Sequence, residues 1–319
     1  MIRADKSTAR FTCSDPILPY FYAVKHVSVY LLLLIIVFAG DRLGGFALQK
    51  QTYSSRFRYS RLYGGRAAAD ILLVGNSRGL TFYQPYIEEI TGKTSFNLSY
   101  NGMPADLAKV LTEDYLDRYR APQKMVVDIT TCDRANDELI AAFLPYSGRS
   151  YRLDTLIHNK LPKAWWGGKV SCLFRFNNEI FQRALYYRHK PDTDWLLDRV
   201  IPADLAAAMQ QHGYDVFDKH KHDYLIGQLR ELVDFARRKN VPVELVIGPY
   251  FPGFAANVKN LDVLKKAVEQ ETGLTVRDYR NALSDPACFG DFMHPNKKGA
   301  VAYIDLLKRD GVLESAGND

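Results

Sequence analysis

From Ala69 onward, short apolar runs alternate with stretches whose apolar residues recur every three or four positions. Asp70–Gly75 (DILLVG), Ser95–Tyr100 (SFNLSY), Lys124–Thr130 (KMVVDIT), Val241–Tyr250 (VPVELVIGPY) and Leu274–Tyr279 (LTVRDY) read as strands. Between them, Thr81–Thr91 reads as a helix through the spacing of Phe82, Tyr86, Ile87 and Ile90, and Pro104–Arg120 as a second with proline at its start. Residues 222–240, 257–273 and 296–311 supply three more helices. Five strands with intervening helices imply an α/β fold built on a mostly parallel, helix-covered sheet. The alternation fails between about residues 144 and 221, an aromatic- and arginine-rich stretch that reads as a largely helical insertion over the site.

The N-terminal region follows a different pattern. Val27–Gly40 is an uncharged run of fourteen residues, followed by Asp41 and Arg42 and then more apolar residues to Leu48. A bilayer span needs about 20 residues, so 27–48 fits a single transmembrane signal anchor if Asp41 and Arg42 sit at the interface, snorkel or pair. A cleaved signal peptide and a buried core helix are the rival readings. The resulting division is an N-terminal cytoplasmic segment (1–26), the anchor (27–48), a linker (49–68) and a catalytic domain (69–319). Basic residues flank the span on both sides, with Arg3, Lys6, Arg10 and Lys25 before it and Arg42, Lys50, Arg56, Arg58, Arg61 and Arg66 after it. The positive-inside count therefore does not set the orientation.

Composition narrows the function classes. With 47% hydrophobic residues the chain can bury a full core, and its net charge of +6 comes from cations scattered among acids. This speaks against a nucleic-acid groove, and no zinc-finger or RNA-binding signature is present. Cys13, Cys132, Cys172 and Cys288 form no CxxC pair and have no matching histidine spacing, which speaks against a metal site. In an exported domain the last three allow at most one disulfide.

The chemistry gathers around Ser77, delivered by the first strand onto a Gly-Asn-Ser-Arg turn. A serine hydroxyl needs a base to take its proton. Of seven histidines, His294 in GDFMHPNKKGA is the best candidate, because Asp291 stands three residues earlier and can hold the imidazole tautomer. Gly102, after the second strand, can bring its N–H to the developing oxyanion beside the N–H of Ser77 itself, and Asn136 in DRAND can offer a side-chain amide.

These blocks resemble those of the SGNH hydrolases, the GDSL-like superfamily of serine esterases and acyltransferases, over about Ala69 to Asp310 apart from the insertion. VGNSRG resembles the first block, NLSYNG the second and DFMHP the last. The resemblance implies a flavodoxin-like three-layer sandwich, a Ser77/His294/Asp291 triad, an oxyanion role for Gly102, and no cofactor. Two positions depart from the pattern: Asn76 replaces the acid of Gly-Asp-Ser, and Arg134 stands where the third block carries glycine. The Gly-x-Ser-Arg form with an N-terminal anchor is similar to bacterial O-acetyltransferases of exported polysaccharides. That implies an acyl-ester donor, a carbohydrate acceptor, a membrane protein supplying acyl groups, and a single-pass location in the bacterial inner membrane with the catalytic domain in the periplasm. Arg78 and Tyr250 are then candidate substrate-binding residues, each with a structural alternative in pairing or packing. Trp165 and Trp166 are a candidate sugar platform or lid packing. A non-catalytic accessory or carbohydrate-binding protein on the same fold is the competing function. A flavodoxin-like nucleotide binder would need a glycine-rich phosphate loop after the first strand, where none stands.

Overall fold

A computed structural model describes residues 17–209, 214–215 and 217–314. Most of the expected cytoplasmic segment, including Cys13, lies outside them, as does His212. The chain is an α/β protein around one sheet of β1 (Ile71–Val74), β2 (Ser95–Asn97), β3 (Lys124–Asp128), β4 (Val243–Ile247) and β5 (Val276–Asp278). Every pairing is parallel and the spatial order is β2-β1-β3-β4-β5. Leu72, Leu73, Val126, Val127, Leu245 and Val246 are completely buried. Continuous apolar strands of this kind need cover on both faces.

The helices that position the site are α1 (Ile17–Ser54), α2 (Gln84–Thr91), α3 (Ala105–Arg118), α4 (Pro162–Val170), α5 (Lys219–Arg238), α6 (Leu261–Thr272) and α7 (Lys297–Arg309). α5 packs against both α3 and α6, and α2 packs against α7. The expected helix at Thr81–Thr91 is shorter than its apolar spacing predicts. Residues Arg78–Thr81 form a 3-10 turn, and α2 starts only at Gln84 with Pro85 in its first turn. The helix expected from Asn257 likewise starts later. Val258–Lys259 pairs in parallel with Tyr214–Asp215, and Asn260 adopts a left-handed φ of 62° before α6 begins.

α1 is one uninterrupted helix of 38 residues. Its Val27–Ser54 portion is long and apolar enough to cross a membrane, and almost none of its most apolar stretch is buried. The expected linker at 49–68 is not one. Thr52, Ser55, Phe57, Tyr59, Ser60 and Leu62 are fully buried, so the chain passes from α1 directly into the core of the domain. Phe57 stacks on Tyr187 of the insertion with centroids 5.8 Å apart, and Tyr59 meets Phe143 edge-on at 4.6 Å. Aromatic pairing of this kind fixes an N-terminal segment that its polar and arginine content made look like a tether.

The insertion between β3 and β4 is largely helical, as expected. Within it, residues 197–201 run beside the His294 loop, where Leu197 pairs with Asn296 and the Ile201 N–H donates to the Phe289 carbonyl at 2.8 Å. Among the described residues Cys132, Cys172 and Cys288 are all free thiols.

Candidate active site

The site residues come from loops that leave the carboxyl ends of parallel strands, the side on which open α/β sheets place ligands. Ser77 follows β1 in helical conformation (φ −57°, ψ −30°) and immediately precedes the short 3-10 turn, its side chain free of any capping hydrogen bond to it. The loop is tight because two glycines meet back to back: a Cβ on Gly75 would lie 2.9 Å from the Gly79 Cα. Asn97 at the end of β2 holds the far side of the loop, donating through Nδ2 to the carbonyls of Gly79 (2.9 Å) and Phe82 (3.2 Å).

His294 lies in the loop before α7. Its Nε2 is 2.9 Å from Ser77 Oγ, and its Nδ1 is 2.9 and 3.0 Å from the two carboxylate oxygens of Asp291. Asp291 accepts from Nδ1–H, so Nε2 is the nitrogen left to receive the serine proton. The same carboxylate also accepts from the backbone N–H groups of Met293 and His294, both at 2.8 Å. Burial raises the Asp291 pKa, but these hydrogen bonds and the imidazole outweigh it and hold the carboxyl below its ordinary value. Asn296 anchors the end of the loop. It caps α7 by accepting from the Gly299 N–H, and donates to the carbonyls of Ala287 and Arg199.

Ser77, Asp291 and His294 line a cavity of about 210 Å³, together with Leu80, Asn101 and Trp195–Leu197. Gly102 adopts a left-handed φ of 67°, and a Cβ there would lie 2.7 Å from Asn136 Nδ2. Asn136 donates to the Gly102 carbonyl at 3.1 Å and caps the following helix through its Oδ1. The two residues expected to serve the oxyanion are thus in contact with each other. Among the described residues, neither the Ser77 N–H nor the Gly102 N–H donates to a protein acceptor.

Asn76 is buried and used at both ends of its amide. Nδ2 donates to the Thr130 carbonyl and Oδ1 accepts from the Arg78 N–H, both at 2.9 Å. A carboxylate could accept but not donate there. The buried acid of this region is instead Asp128 at the end of β3, which accepts from the Thr130 N–H at 2.9 Å and the Thr130 hydroxyl at 2.5 Å.

The two residues expected to bind substrate, Arg78 and Tyr250, lie buried beside the cavity rather than in its lining. Arg78 is 2% exposed and both terminal nitrogens of its guanidinium are taken up by the chain itself, Nη1 donating to the Met293 carbonyl at 2.7 Å and Nη2 to the carbonyls of Gly248 and Pro249. It also lies 3.6 Å above the ring of Tyr250, which is completely buried. Neither lines the cavity. Together they tie the nucleophile loop, the end of β4 and the histidine loop into one unit. The Trp165–Trp166 pair also lies outside the cavity lining.

Trp195 is the aromatic that reaches the site, and the sequence reading did not single it out. Its indole donates to Asp192, which forms a buried ion pair with Arg58 (Nε to Oδ2 2.9 Å), and the guanidinium sits 4.7 Å over the indole ring. The available signal was the apolar triplet Trp195–Leu197 inside the otherwise polar run DTDWLLDR. Comparison of the sequence with known protein families and with curated proteins finds no match.

Proposed function

We propose that this chain is a membrane-anchored serine acyl-transfer enzyme of the SGNH type, an O-acetyltransferase or esterase acting on an acylated cell-envelope or exported polysaccharide. The observation that carries the reading is the continuous hydrogen-bonded series Ser77 Oγ, His294 Nε2, His294 Nδ1, Asp291. The strand order and the grouping of α3, α5 and α6 apart from α2 and α7 support the flavodoxin-like three-layer arrangement of that superfamily.

In this mechanism Ser77 Oγ attacks the ester carbonyl carbon while His294 Nε2 takes its proton, and Asp291 stabilises the imidazolium. The tetrahedral oxyanion faces the N–H groups of Ser77 and Gly102, with the Asn136 amide holding the Gly102 loop. Collapse breaks the bond to the alcohol, which leaves with the proton from His294. The acyl group on Ser77 then passes to water or to a sugar hydroxyl, which gives its proton to His294, and His294 delivers that proton to Ser77 Oγ as the acyl–serine bond breaks. α1 holds the domain at the inner membrane, within reach of a membrane protein that supplies acyl groups.

The test is intact-mass spectrometry of the full chain in detergent after exposure to a serine-directed fluorophosphonate or p-nitrophenyl acetate. The reading requires one adduct on Ser77 that is absent from Ser77→Ala. If no adduct forms, or if Ser77→Ala keeps full ester turnover, the accessory-protein reading takes its place.

A further inference from the structure

The uncharged stretch of α1 that is exposed along its whole length, Val27–Gly40, contains fourteen residues. At about 1.5 Å per residue it covers roughly 21 Å, whereas a hydrocarbon core is about 30 Å thick. Lys25 and His26 directly precede the stretch, so the missing length is made up on its other side, across Asp41 to Phe46. Along that part the helix is no longer alone. Gly45 is buried against Cys172, and a Cβ on Gly44 would lie 3.1 Å from Leu173.

Here the charges are neutralised by the protein. Asp41 accepts from the Ser171 hydroxyl (2.5 Å) and from the backbone N–H groups of Cys172 (2.7 Å) and Leu173 (3.1 Å). Arg42 donates to the Val170 carbonyl at 3.0 Å and the Cys172 thiol at 2.8 Å. Around this clamp the exposed side chains are mostly apolar: Leu43 and Phe46 on α1, Trp166 and Val170 on α4, and Leu173 and Phe174 just beyond it, from 43% to 72% exposed; the exposed cation of the last turn of α4, Lys169, is paired with Asp154 at 3.1 Å. None of them lines the Ser77 cavity.

We infer that the end of α4 and the adjoining residues to Phe174 are immersed in the lipid beside α1, forming an apolar collar that docks the domain on one leaflet. The occupant is the acyl-chain and glycerol region of the bilayer. Length, continuity with the span and the internal satisfaction of Asp41 and Arg42 all point to it, and Trp166 is the residue type that favours that depth. The inference rests on the reading of α1 as the membrane span, and is independent of the chemistry proposed for Ser77.

The experiment places the full chain in phosphatidylcholine vesicles whose lipids are brominated near the carboxyl end of the acyl chain, and reads tryptophan emission against unbrominated vesicles. Quenching is expected, falling in Trp166→Phe and retained in Trp195→Phe. Val170→Asp and Phe174→Asp should reduce the quenching while leaving turnover of a soluble ester unchanged. Quenching that is absent, or identical in Trp166→Phe and wild type, overturns the collar. An alkaline carbonate wash separates the two levels. Protein retained without Trp166 quenching rejects the collar alone, and protein washed free rejects the span and the collar with it.

Discussion

Arg78 and Asp128 sit side by side in the interior one residue beyond the nucleophile, Nε to Oδ2 4.0 Å apart, with side chains 2% and 1% exposed. Removing one member of a buried ion pair leaves the other charge without compensation, at a cost of about 3–5 kcal/mol. Arg78→Ala should lower the unfolding free energy by that order, read from denaturant midpoints. Because Arg78 lies outside the cavity but bonds to the histidine loop, Arg78→Lys should lower kcat on a small ester more than it changes KM. A variant that changed KM alone would instead mark Arg78 as a substrate contact.

Asn76→Asp would move the first block toward the Gly-Asp-Ser pattern it resembles, yet should weaken this protein. The Thr130 carbonyl would lose its donor, and a second acid would enter a buried region that already holds Asp128. A buried polar group left without its partner costs about 1–3 kcal/mol, so the thermal midpoint should fall and ester turnover with it. Unchanged stability would show that the site admits a protonated or water-bridged acid.

Asp291→Asn should lower kcat by about 10⁴-fold, the scale seen when a serine triad loses the carboxylate that fixes its imidazole. The folded-state pKa of Asp291 is depressed from its ordinary value of 3.8. Its stabilisation is therefore present above the unfolded value and lost as the pH falls through the folded one. Unfolding midpoints from pH 6 down to pH 3 should show the wild type losing more stability than Asp291→Asn below about pH 4. Parallel curves would mean that the carboxylate gains nothing from its loop.

Trp195→Ala should enlarge the cavity at the wall made by Trp195–Leu197. The relative turnover of acetyl and longer acyl esters should shift by about tenfold or more, since each methylene in an apolar pocket is worth about 1–3 kcal/mol. Ratios of kcat/KM across p-nitrophenyl esters of increasing chain length read this directly. A uniform loss across all chain lengths would assign Trp195 to positioning of the loop rather than to the acyl wall.

The centre of the sheet was legible in the sequence because strands buried on both faces carry apolar runs, as in Ile71–Val74 and Met125–Val127, whereas β2 (SFN) and β5 (VRD) at the edges stand out by their place in the alternation. Ser77, Asp291 and His294 were legible because they lie in short motifs with local spacing, and they meet within hydrogen-bond distance. What the sequence hid depends on long-range partners. Arg78 looks like any surface arginine until the carbonyls of Gly248, Pro249 and Met293 converge on it. Residues 49–68 look like a tether because Arg58, whose partner Asp192 is 134 positions away, carries no local sign of its burial. Trp195 is held at the site by that same pair and by Tyr100 and Tyr187, all distant in sequence or without local signal, whereas Trp165 and Trp166 stand outside the cavity.

The continuity of α1 has a mechanical consequence. The helix runs unbroken to Ser54, and within three residues the chain is locked between Tyr59 and Tyr187 at Phe57, with no glycine-rich joint in between. On the anchored reading, the domain is a tool on a post rather than a float on a line. Its cleft keeps one altitude and one heading above the bilayer, and the polymer must come to it.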